Sequence, residues 1–283
     1  FDKNFQNPRT LSAAIAYEWQ VGADLGLLLS YTHAKTDHNT RFINRNDAKF
    51  FGSPWGSQLT GAADPNGVFT LTTVESSARS TFNGVTVGLK RVLDPNFQFQ
   101  VNYTLSWDKS DDDNERDPFT FRYARPDQLE HEYNWSDRDQ RHRFNGWVVK
   151  HIGGGLFLNS RLSIYSAQPV SEKCGTNNQG NGQRAGTPQD RICRDASNRL
   201  TGVVLKRNTL RKDNSYFSWD LGLTWPFNVG NGRLELIAQV FNLTGADNFR
   251  DPTTGSPLFN FDGTFRGGFG DPQQAQLGAH WVF

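Results

Sequence analysis

The 283-residue sequence predicts an all-β fold, an antiparallel transmembrane β-barrel in which about nine strands form part of a larger barrel. Apolar and polar residues alternate in nine segments, as they do in strands that face lipid on one side only. The connections between these segments are alternately short and long. A mean hydropathy of -0.65 and a longest apolar run of only Leu25–Leu29 exclude a transmembrane helix.

The alternation is clearest in Phe97–Trp107 and Phe217–Phe227, where every second residue is aromatic or aliphatic and aromatic residues lie near the segment ends. It is weaker in five other segments, and in an eighth segment, Arg143–His151, both faces are mixed. A ninth segment ends the sequence. In chain order the predicted strands are Leu11–Val21, Leu25–His33, Val85–Leu93, Phe97–Trp107, Arg143–His151, Leu156–Ile164, Phe217–Phe227, Leu234–Val240 and Ala275–Phe283.

Short turns are predicted at Gly22–Ala23, Asp94–Asn96, Gly153–Gly155 and Asn228–Gly232, because these residues favour tight turns. Long polar connections cover residues 37–79, 110–138, 168–212 and 244–272. Short periplasmic turns and long extracellular loops are typical of outer-membrane barrels. Bacterial single-chain barrels have an even number of strands, whereas nine is odd. The prediction therefore leaves two possibilities, an additional strand near Leu200–Arg207 or a chain that is not a whole barrel.

The polar side of the alternating segments is predicted to face the barrel lumen, since charged side chains on the lipid side would be costly. The residues assigned to the lumen by this pattern are Gln98, Gln100, Asn102, Arg161, Asp220 and Glu235.

Two cysteines, Cys174 and Cys193, lie in one polar connection. Their spacing is too wide and the neighbourhood too poor in histidine for a zinc site. In an oxidising compartment they would form a disulfide that closes a loop of about 20 residues and contributes about 3 kcal/mol in the chain-entropy model. The alternative is two unrelated thiols.

The last residues place Ala275, Leu277, Ala279, Trp281 and Phe283 on one face of a strand. This segment resembles the terminal signal by which bacterial outer-membrane barrels reach their insertion machinery. The resemblance implies assembly roles for Gln276, Gly278, Trp281 and Phe283. The alternative is an ordinary half-buried last strand of a soluble β protein.

Further segments resemble the TonB-dependent receptors, specifically the Oar-like group with an N-terminal carboxypeptidase-regulatory-like domain. The segment Asp139–Gly146 is similar to the Arg-His-Arg-Phe strand of that group, and four other segments agree in order. They are Phe5–Thr10, Ser166–Val170, Arg207–Arg211 and Leu234–Thr244.

This resemblance implies that residues 1–283 are the C-terminal portion of the barrel, with the plug domain and the earlier strands absent. It implies an outer-membrane receptor of a Gram-negative bacterium that takes part in substrate binding and passage. The implied partners are outer-membrane lipid and lipopolysaccharide, the insertion machinery, TonB through a plug, and an unknown ligand at the extracellular loops.

No catalytic motif indicates an enzyme. His131-Glu132 lacks a second histidine at the zinc-protease spacing, where Trp135 stands, and no G-x-S-x-G sequence occurs. No cofactor or metal site is expected. A formal net charge of +1 supplies no case for nucleic-acid binding.

Two loop features could act in binding. The acidic run Asp111–Glu115 is predicted to be a solvated loop, with divalent ions bridging lipopolysaccharide phosphates as the alternative. Aromatic residues in the long connections either pack the loops or stack on a ligand. The candidates for ligand contact are Phe50, Phe51, Trp55 and Phe265.

Two functions of other classes remain open. One is a non-transporting adhesin or structural surface barrel whose long loops bind a partner. The other is a soluble β-sandwich or lectin.

Overall fold

The computed structural model describes residues 1–45, 71–113, 121–174, 180–184, 188–197, 199–211, 215–248 and 272–283. Short 3-10 turns occupy Leu129–His131 and Pro188–Arg191, and no helix among the described residues is long and apolar enough to cross a membrane. The strands are β1 (Arg9–Val21), β2 (Leu25–Asn44), β3 (Thr72–Arg91), β4 (Phe97–Ser110), β5 (Asn134–Trp135), β6 (His142–Gly153), β7 (Leu156–Tyr165), β8 (Glu172–Cys174), β9 (Gly180–Arg184), β10 (Ile192–Arg194), β11 (Leu200–Val204), β12 (Tyr216–Val229), β13 (Gly232–Phe241) and β14 (Gln274–Val282).

Nine long strands form one antiparallel sheet in the order β1-β2-β3-β4-β6-β7-β12-β13-β14, which confirms the nine predicted strands. The short strand β5 pairs with the end of β4. Among the described residues, β1 pairs only with β2 and β14 only with β13, so the sheet is open at both edges.

All four predicted short turns connect neighbouring strands of this sheet. The β1–β2 ladder runs from Arg9 opposite Asp37 to Val21 opposite Leu25, and the β12–β13 ladder closes at Val229 opposite Gly232. Gly22 and Gly230 have φ values of 77° and 57°, a left-handed conformation that glycine adopts without steric cost. The glycines therefore allow the tight turns that the sequence predicted.

The prediction for residues 37–79 was wrong at both ends. β2 continues to Asn44 and β3 begins at Thr72, and Asn44 lies opposite Thr72. These extensions carry polar residues on both faces, so they show no membrane-type alternation. A bulge between Thr36 and Asn39, with His38 at φ 63°, separates them from the regular ladder. Since a membrane-spanning strand needs only about 9–11 residues, the extensions lie beyond the membrane.

The segment Leu200–Arg207, considered as a tenth barrel strand, does not join the sheet. Only Leu200–Val204 is a strand, and it pairs with β10 in a separate two-stranded sheet. The strands β8 and β9 form another. The described part of the connection between β7 and β12 thus contains secondary structure, because backbone groups that do not pair with the main sheet pair with each other.

The side chains of the sheet divide into two faces. Residues directly opposite each other in a ladder share a face, and alternate residues change face. One face, here called the apolar face, carries side chains such as Leu11, Ile15 and Leu277, which are 69%, 70% and 88% exposed. Exposed apolar side chains of this extent fit a sheet whose outer solvent is lipid.

The buried apolar residues lie outside this sheet surface, in the loops and in the extensions of β2 and β3. They are Ile43, Ala78, Tyr123, Ala124, Cys174, Ile192, Cys193 and Val204.

Candidate functional site: the polar face and the loop cluster

The other face of the sheet, here called the polar face, contains all six residues that the sequence assigned to the lumen. Trp147 lies opposite both Gln100 and Arg161, and Arg161 lies opposite Asp220. The same register places Gln98, Asn102 and Glu235 on this face, with Val149, Asn145 and His280 opposite them. One surface therefore collects these polar groups across six strands.

Hydrogen bonds join neighbouring strands along the polar face. The hydroxyls of Thr86 and Thr104 lie 2.9 Å apart, and the Tyr165 hydroxyl donates to Asn145 Oδ1 at 2.6 Å. Cross-strand polar pairs of this kind hold the register and present oxygen and nitrogen atoms to one side.

A small polar cavity of about 210 Å³ opens on the polar face toward the long loops. Asp220 Oδ1 accepts hydrogen bonds from the Ser218 hydroxyl at 3.2 Å and from the Asn242 backbone N–H at 2.9 Å. Arg161 lies opposite Asp220 but makes no ion pair with it within 4.0 Å. The cavity therefore offers a guanidinium and a carboxylate that are not neutralised by each other. Its lining is Arg161, Ser163, Tyr216, Ser218, Asp220, Phe241 and Asn242.

A larger cavity of about 470 Å³ lies near the short turns, between β1, β2, β3 and β4. Gln100 and Asn102 line it together with Leu28 and Gly88. A Cβ atom on Gly88 would lie 2.7 Å from Asn102 Oδ1, so the glycine leaves room for the Asn102 side chain opposite it.

Above the sheet, the described residues within 110–139 and 168–211 pack together with the extensions of β2 and β3, and this unit is here called the loop cluster. Its centre is an ion pair between Arg191 and Glu132, each 1% exposed. Arg191 Nη2 donates to both Glu132 oxygens at 2.8 and 2.7 Å. Glu132 also accepts the Ala124 N–H, and Arg191 donates to the Leu205 carbonyl. The pair thus ties three segments of loop together.

For the described part of the acidic run the prediction of a solvated loop was wrong, because Asp111 and Asp112 are 8% and 5% exposed. Arg41 Nη2 lies 3.1 Å from Asp111 Oδ2, and Arg207 Nη2 donates to Asp113 Oδ2 at 2.7 Å. Burial opposes the charge of Arg207, but the carboxylates of Asp113 and its neighbours raise its pKa. Arginines from distant segments therefore compensate the buried carboxylates. Asn114 and Glu115 lie outside the described residues.

Another buried carboxylate, Asp139, accepts hydrogen bonds from the Asp108 N–H at 2.8 Å and from the guanidinium of Arg211, and Arg141 Nη2 lies 3.6 Å from Asp139 Oδ2. Asp108 follows the membrane-spanning stretch Phe97–Trp107. Burial, and then the nearby charges of Asp113 and Asp139, raise the pKa of Asp108 to about 6.

The disulfide prediction is confirmed, since Cys174 and Cys193 are bonded to each other across 19 positions. Both are buried, and the bond connects the β8 hairpin to β10. The disulfide therefore links the two small sheets of the loop cluster covalently.

In β14, Trp281 lies opposite Leu234 on the apolar face, and Gly278 lies opposite Ile237 on the polar face. Gln276 shares the polar face and its side chain bonds that of Gln239. Phe283 continues the alternation and is fully exposed. The roles of these four residues in assembly stay predictions. The loop aromatics Phe50, Phe51, Trp55 and Phe265 lie outside the described residues.

Sequence reasoning missed the residues that hold the loop cluster together, namely Glu132, Arg191, Arg207 and Arg211. Their partners are remote in sequence, and no periodic pattern marks them. Arg207 and Arg211 are the first and last residues of Arg207–Arg211, one of the segments that carry the family resemblance. That resemblance was the one sequence signal that could have pointed to them. Among the described residues no group of His, Cys, Asp and Glu side chains is placed to hold a metal.

The family model for the outer membrane beta barrel domain matches residues 1–276. The chain belongs to this family. The barrel domain is a component of the outer membrane of a Gram-negative bacterium, and its family agrees with the prediction that it is not an enzyme. No curated protein matches the chain.

Solved structures with a similar fold include three receptors. The ferric-catecholate import receptor Fiu from Escherichia coli has a TM-score of 0.53 at 14% identity, over 99% of this chain and 28% of its own. The siderophore receptor PiuA from Acinetobacter baumannii has a TM-score of 0.52 at 11% identity, over 97% and 28%. The ferric enterobactin receptor PfeA from Pseudomonas aeruginosa, as a G324V mutant, has a TM-score of 0.52 at 14% identity, over 97% and 31%.

At these identities the likeness establishes the fold alone. It agrees with the resemblance to barrels of TonB-dependent receptors. The chain spans about 28% of the length of the first of these receptors.

Proposed function

We propose that this barrel domain is the C-terminal portion of a TonB-dependent receptor of the Oar-like group, and that it takes part in binding a substrate and passing it across the outer membrane. The observation that carries the proposal is the polar face, which is continuous across the sheet and lies opposite an apolar face suited to lipid. Plugged outer-membrane transporters have about 22 strands, so an open sheet of nine fits as part of one.

In the proposed receptor the polar face lines the lumen, and the cavity at Arg161 and Asp220 contacts the substrate near the extracellular mouth. A guanidinium and a carboxylate on adjacent strands suit a polar substrate with both donor and acceptor groups. Loop aromatics, with Phe50, Phe51, Trp55 and Phe265 as candidates, would add stacking contacts.

The partners of the receptor follow from this assignment. TonB would act through a plug formed by another part of the receptor. Insertion machinery would recognise Gln276, Gly278, Trp281 and Phe283. Lipid and lipopolysaccharide would cover the apolar face.

The first test is the intact mass of the protein extracted from its native membrane in detergent, with peptide sequencing upstream of Phe1. We expect a mass far above 31.9 kDa and peptides of a plug domain. A mass of 31.9 kDa would overturn the receptor assignment and favour a surface barrel.

The second test uses Arg161→Gln and Asp220→Asn in the full-length protein. Ferric enterobactin labelled with radioactive iron serves as a polar probe, because PfeA is described as its receptor. Uptake in cells with and without TonB is compared, and Lys150→Gln, on the apolar face near the short turns, is the control. TonB-dependent uptake that falls about tenfold in both cavity variants supports the cavity assignment.

The alternative function is a surface adhesin, and the cross-linked loop cluster favours it, since a rigid platform can present a binding surface without transport. An adhesin would keep its binding partner after TonB is removed and would lack plug peptides.

A further inference from the structure

A row of basic and aromatic side chains crosses the apolar face at its extracellular limit. Lys35 lies opposite Thr81, Thr81 lies opposite Lys109, and Lys109 lies opposite Trp135. Direct opposition places all four side chains on the apolar face. Arg79 and Arg141 extend the row through ring contacts, with guanidinium carbons 4.3 Å from the Tyr133 and Trp135 ring centres. This set is here called the rim row.

The height of the rim row matches the end of the lipid-facing band. Below it, the apolar face carries Leu25, Leu27, Leu29 and Tyr31 in β2, then His33, then Lys35. The rise from Leu25 to Lys35, at about 3.3 Å per residue and a tilt of about 40°, is about 25 Å along the membrane normal. The apolar band of an outer-membrane barrel is about 25 Å tall, so the row lies at the head-group level of the outer leaflet.

The charges of the row are available to an external anion. Lys35 and Arg79 side chains are 51% and 58% exposed. No described carboxylate lies within 4.0 Å of the Lys109 ammonium, which is 4.7 Å from the centre of the Trp135 ring. Cation–π contact keeps this charge near the surface without neutralising it.

Carboxylates near the row compensate it only in part. Asp37 lies 3.4 Å from Lys35 and is 32% exposed, so it is the carboxylate in contact with both the row and the solvent. Asp111 Oδ1 lies 3.9 Å from Arg79 Nε, and Asp139 Oδ2 lies 3.6 Å from Arg141 Nη2. Both carboxylates are buried beneath the surface. Among the described residues, a surface of net positive charge therefore borders the apolar face.

We propose that the rim row binds the phosphate groups of lipopolysaccharide whose acyl chains cover the apolar face below. Charge complementarity and continuity with the lipid-facing surface select this occupant over a soluble anion, because one molecule then satisfies both surfaces. The aromatic rings of Tyr133 and Trp135 hold the cations at a fixed height, which favours a head group with phosphates at that level. This inference concerns the outer surface and is independent of transport.

The test uses the full-length protein purified in detergent and washed free of bound glycolipid. Its dissociation constants for bisphosphorylated lipid A and for dephosphorylated lipid A are measured by native mass spectrometry. We expect at least tenfold tighter binding of the phosphorylated form. In Lys35→Gln/Lys109→Gln this binding should weaken about 25-fold, since each lysine at a charged lipid surface contributes about a factor of five.

The matched control is Lys90→Gln/Lys150→Gln, which removes two lysines near the short turns at the opposite end of the sheet. Its affinity should equal that of the wild type, and Lys35→Arg/Lys109→Arg should retain binding. Heat-dependent gel mobility shows whether each variant is folded. Equal weakening in both glutamine variants, or equal binding of the two lipid A forms, would overturn the proposal.

Discussion

In the nine-stranded sheet, large apolar side chains such as Ile15 and Leu277 are exposed, whereas in the loop cluster the charged side chains of Arg191 and Glu132 are almost fully buried. The two regions differ because their surroundings differ. Lipid removes the cost of exposing apolar side chains on the sheet. The backbone N–H and C=O groups of the sheet form hydrogen bonds between neighbouring strands. The loop cluster lies in water with a small apolar core, so ion pairs, cation–π contacts and a disulfide hold it together.

Because their surroundings differ, the two regions should respond differently to the same kind of substitution. A charge is costly on the apolar face, and the loss of a charge is costly in the loop cluster. Substitutions in the full-length protein can test this contrast.

The largest effect is expected for Phe283→Asn, because the change affects assembly of the whole barrel. We expect the amount of folded protein in the outer membrane to fall about tenfold, measured by the heat-modifiable band on gels. Val282→Asn, on the polar face of the same strand, is the control. Unchanged assembly of Phe283→Asn would count against the terminal signal.

The second largest effect is expected when one partner of the buried ion pair between Arg191 and Glu132 is removed. Glu132→Gln leaves the Arg191 charge uncompensated and should destabilise the loop cluster by about 3–5 kcal/mol. Hydrogen exchange of residues 121–135 and 191–205 would measure the loss, with the sheet amides as an internal reference. The double change Glu132→Met/Arg191→Met should recover much of the stability, and a double variant as unstable as the single one would argue against the ion-pair explanation.

The assignment of the two faces can be tested at adjacent residues of β12. Leu223→Arg places a charge on the apolar face and should cost about 2–4 kcal/mol, because it would lie in the lipid band. Thr224→Arg places the same charge on the polar face and should be tolerated. Refolding titrations into lipid vesicles measure both, and equal losses would show that the faces are assigned wrongly.

Loss of the disulfide should lower stability by as much as Leu223→Arg or by less, and the effect should be confined to the loop cluster. Cys174→Ser/Cys193→Ser removes the cross-link and should cost about 3 kcal/mol for a loop of this length. Limited proteolysis should then cut the connection between β7 and β12 while the sheet stays intact. Proteolysis at the wild-type rate would show that non-covalent contacts suffice.

The smallest effect is expected from Asp108. Its folded-state pKa is raised from 3.8 to about 6, so its favourable contribution is fully present below about pH 3.8 and is lost as the pH rises through about 6. Asp108→Asn should therefore stabilise the loop cluster at pH 7, by about 1 kcal/mol after allowance for solvent screening. Hydrogen exchange at pH 4 should show no difference between variant and wild type, and a constant difference at both pH values would contradict the titration.

The sheet could be predicted because its signal is local. Alternation with a period of two in Phe97–Trp107 identifies a strand and its two faces without knowledge of its neighbours. The same rule failed for the extensions of β2 and β3, where both faces meet water or loops and no alternation is needed. It also suggested Leu200–Arg207 as a barrel strand, because strand propensity alone does not say which strand is the partner.

Local sequence was sufficient to predict the alternating stretches of the nine sheet strands, their two faces and the short turns, and it favoured the cysteine pair, since each depends on neighbouring residues or on residue type. Three other features follow only from the tertiary contacts, namely the pairing of Arg191 with Glu132, the pairing of Arg207 with Asp113, and the burial of Asp111 and Asp112. These contacts join residues 59 and 94 positions apart. Such residues meet only because the order of strands in the sheet brings the loops above it together, and that order is a property of the whole chain.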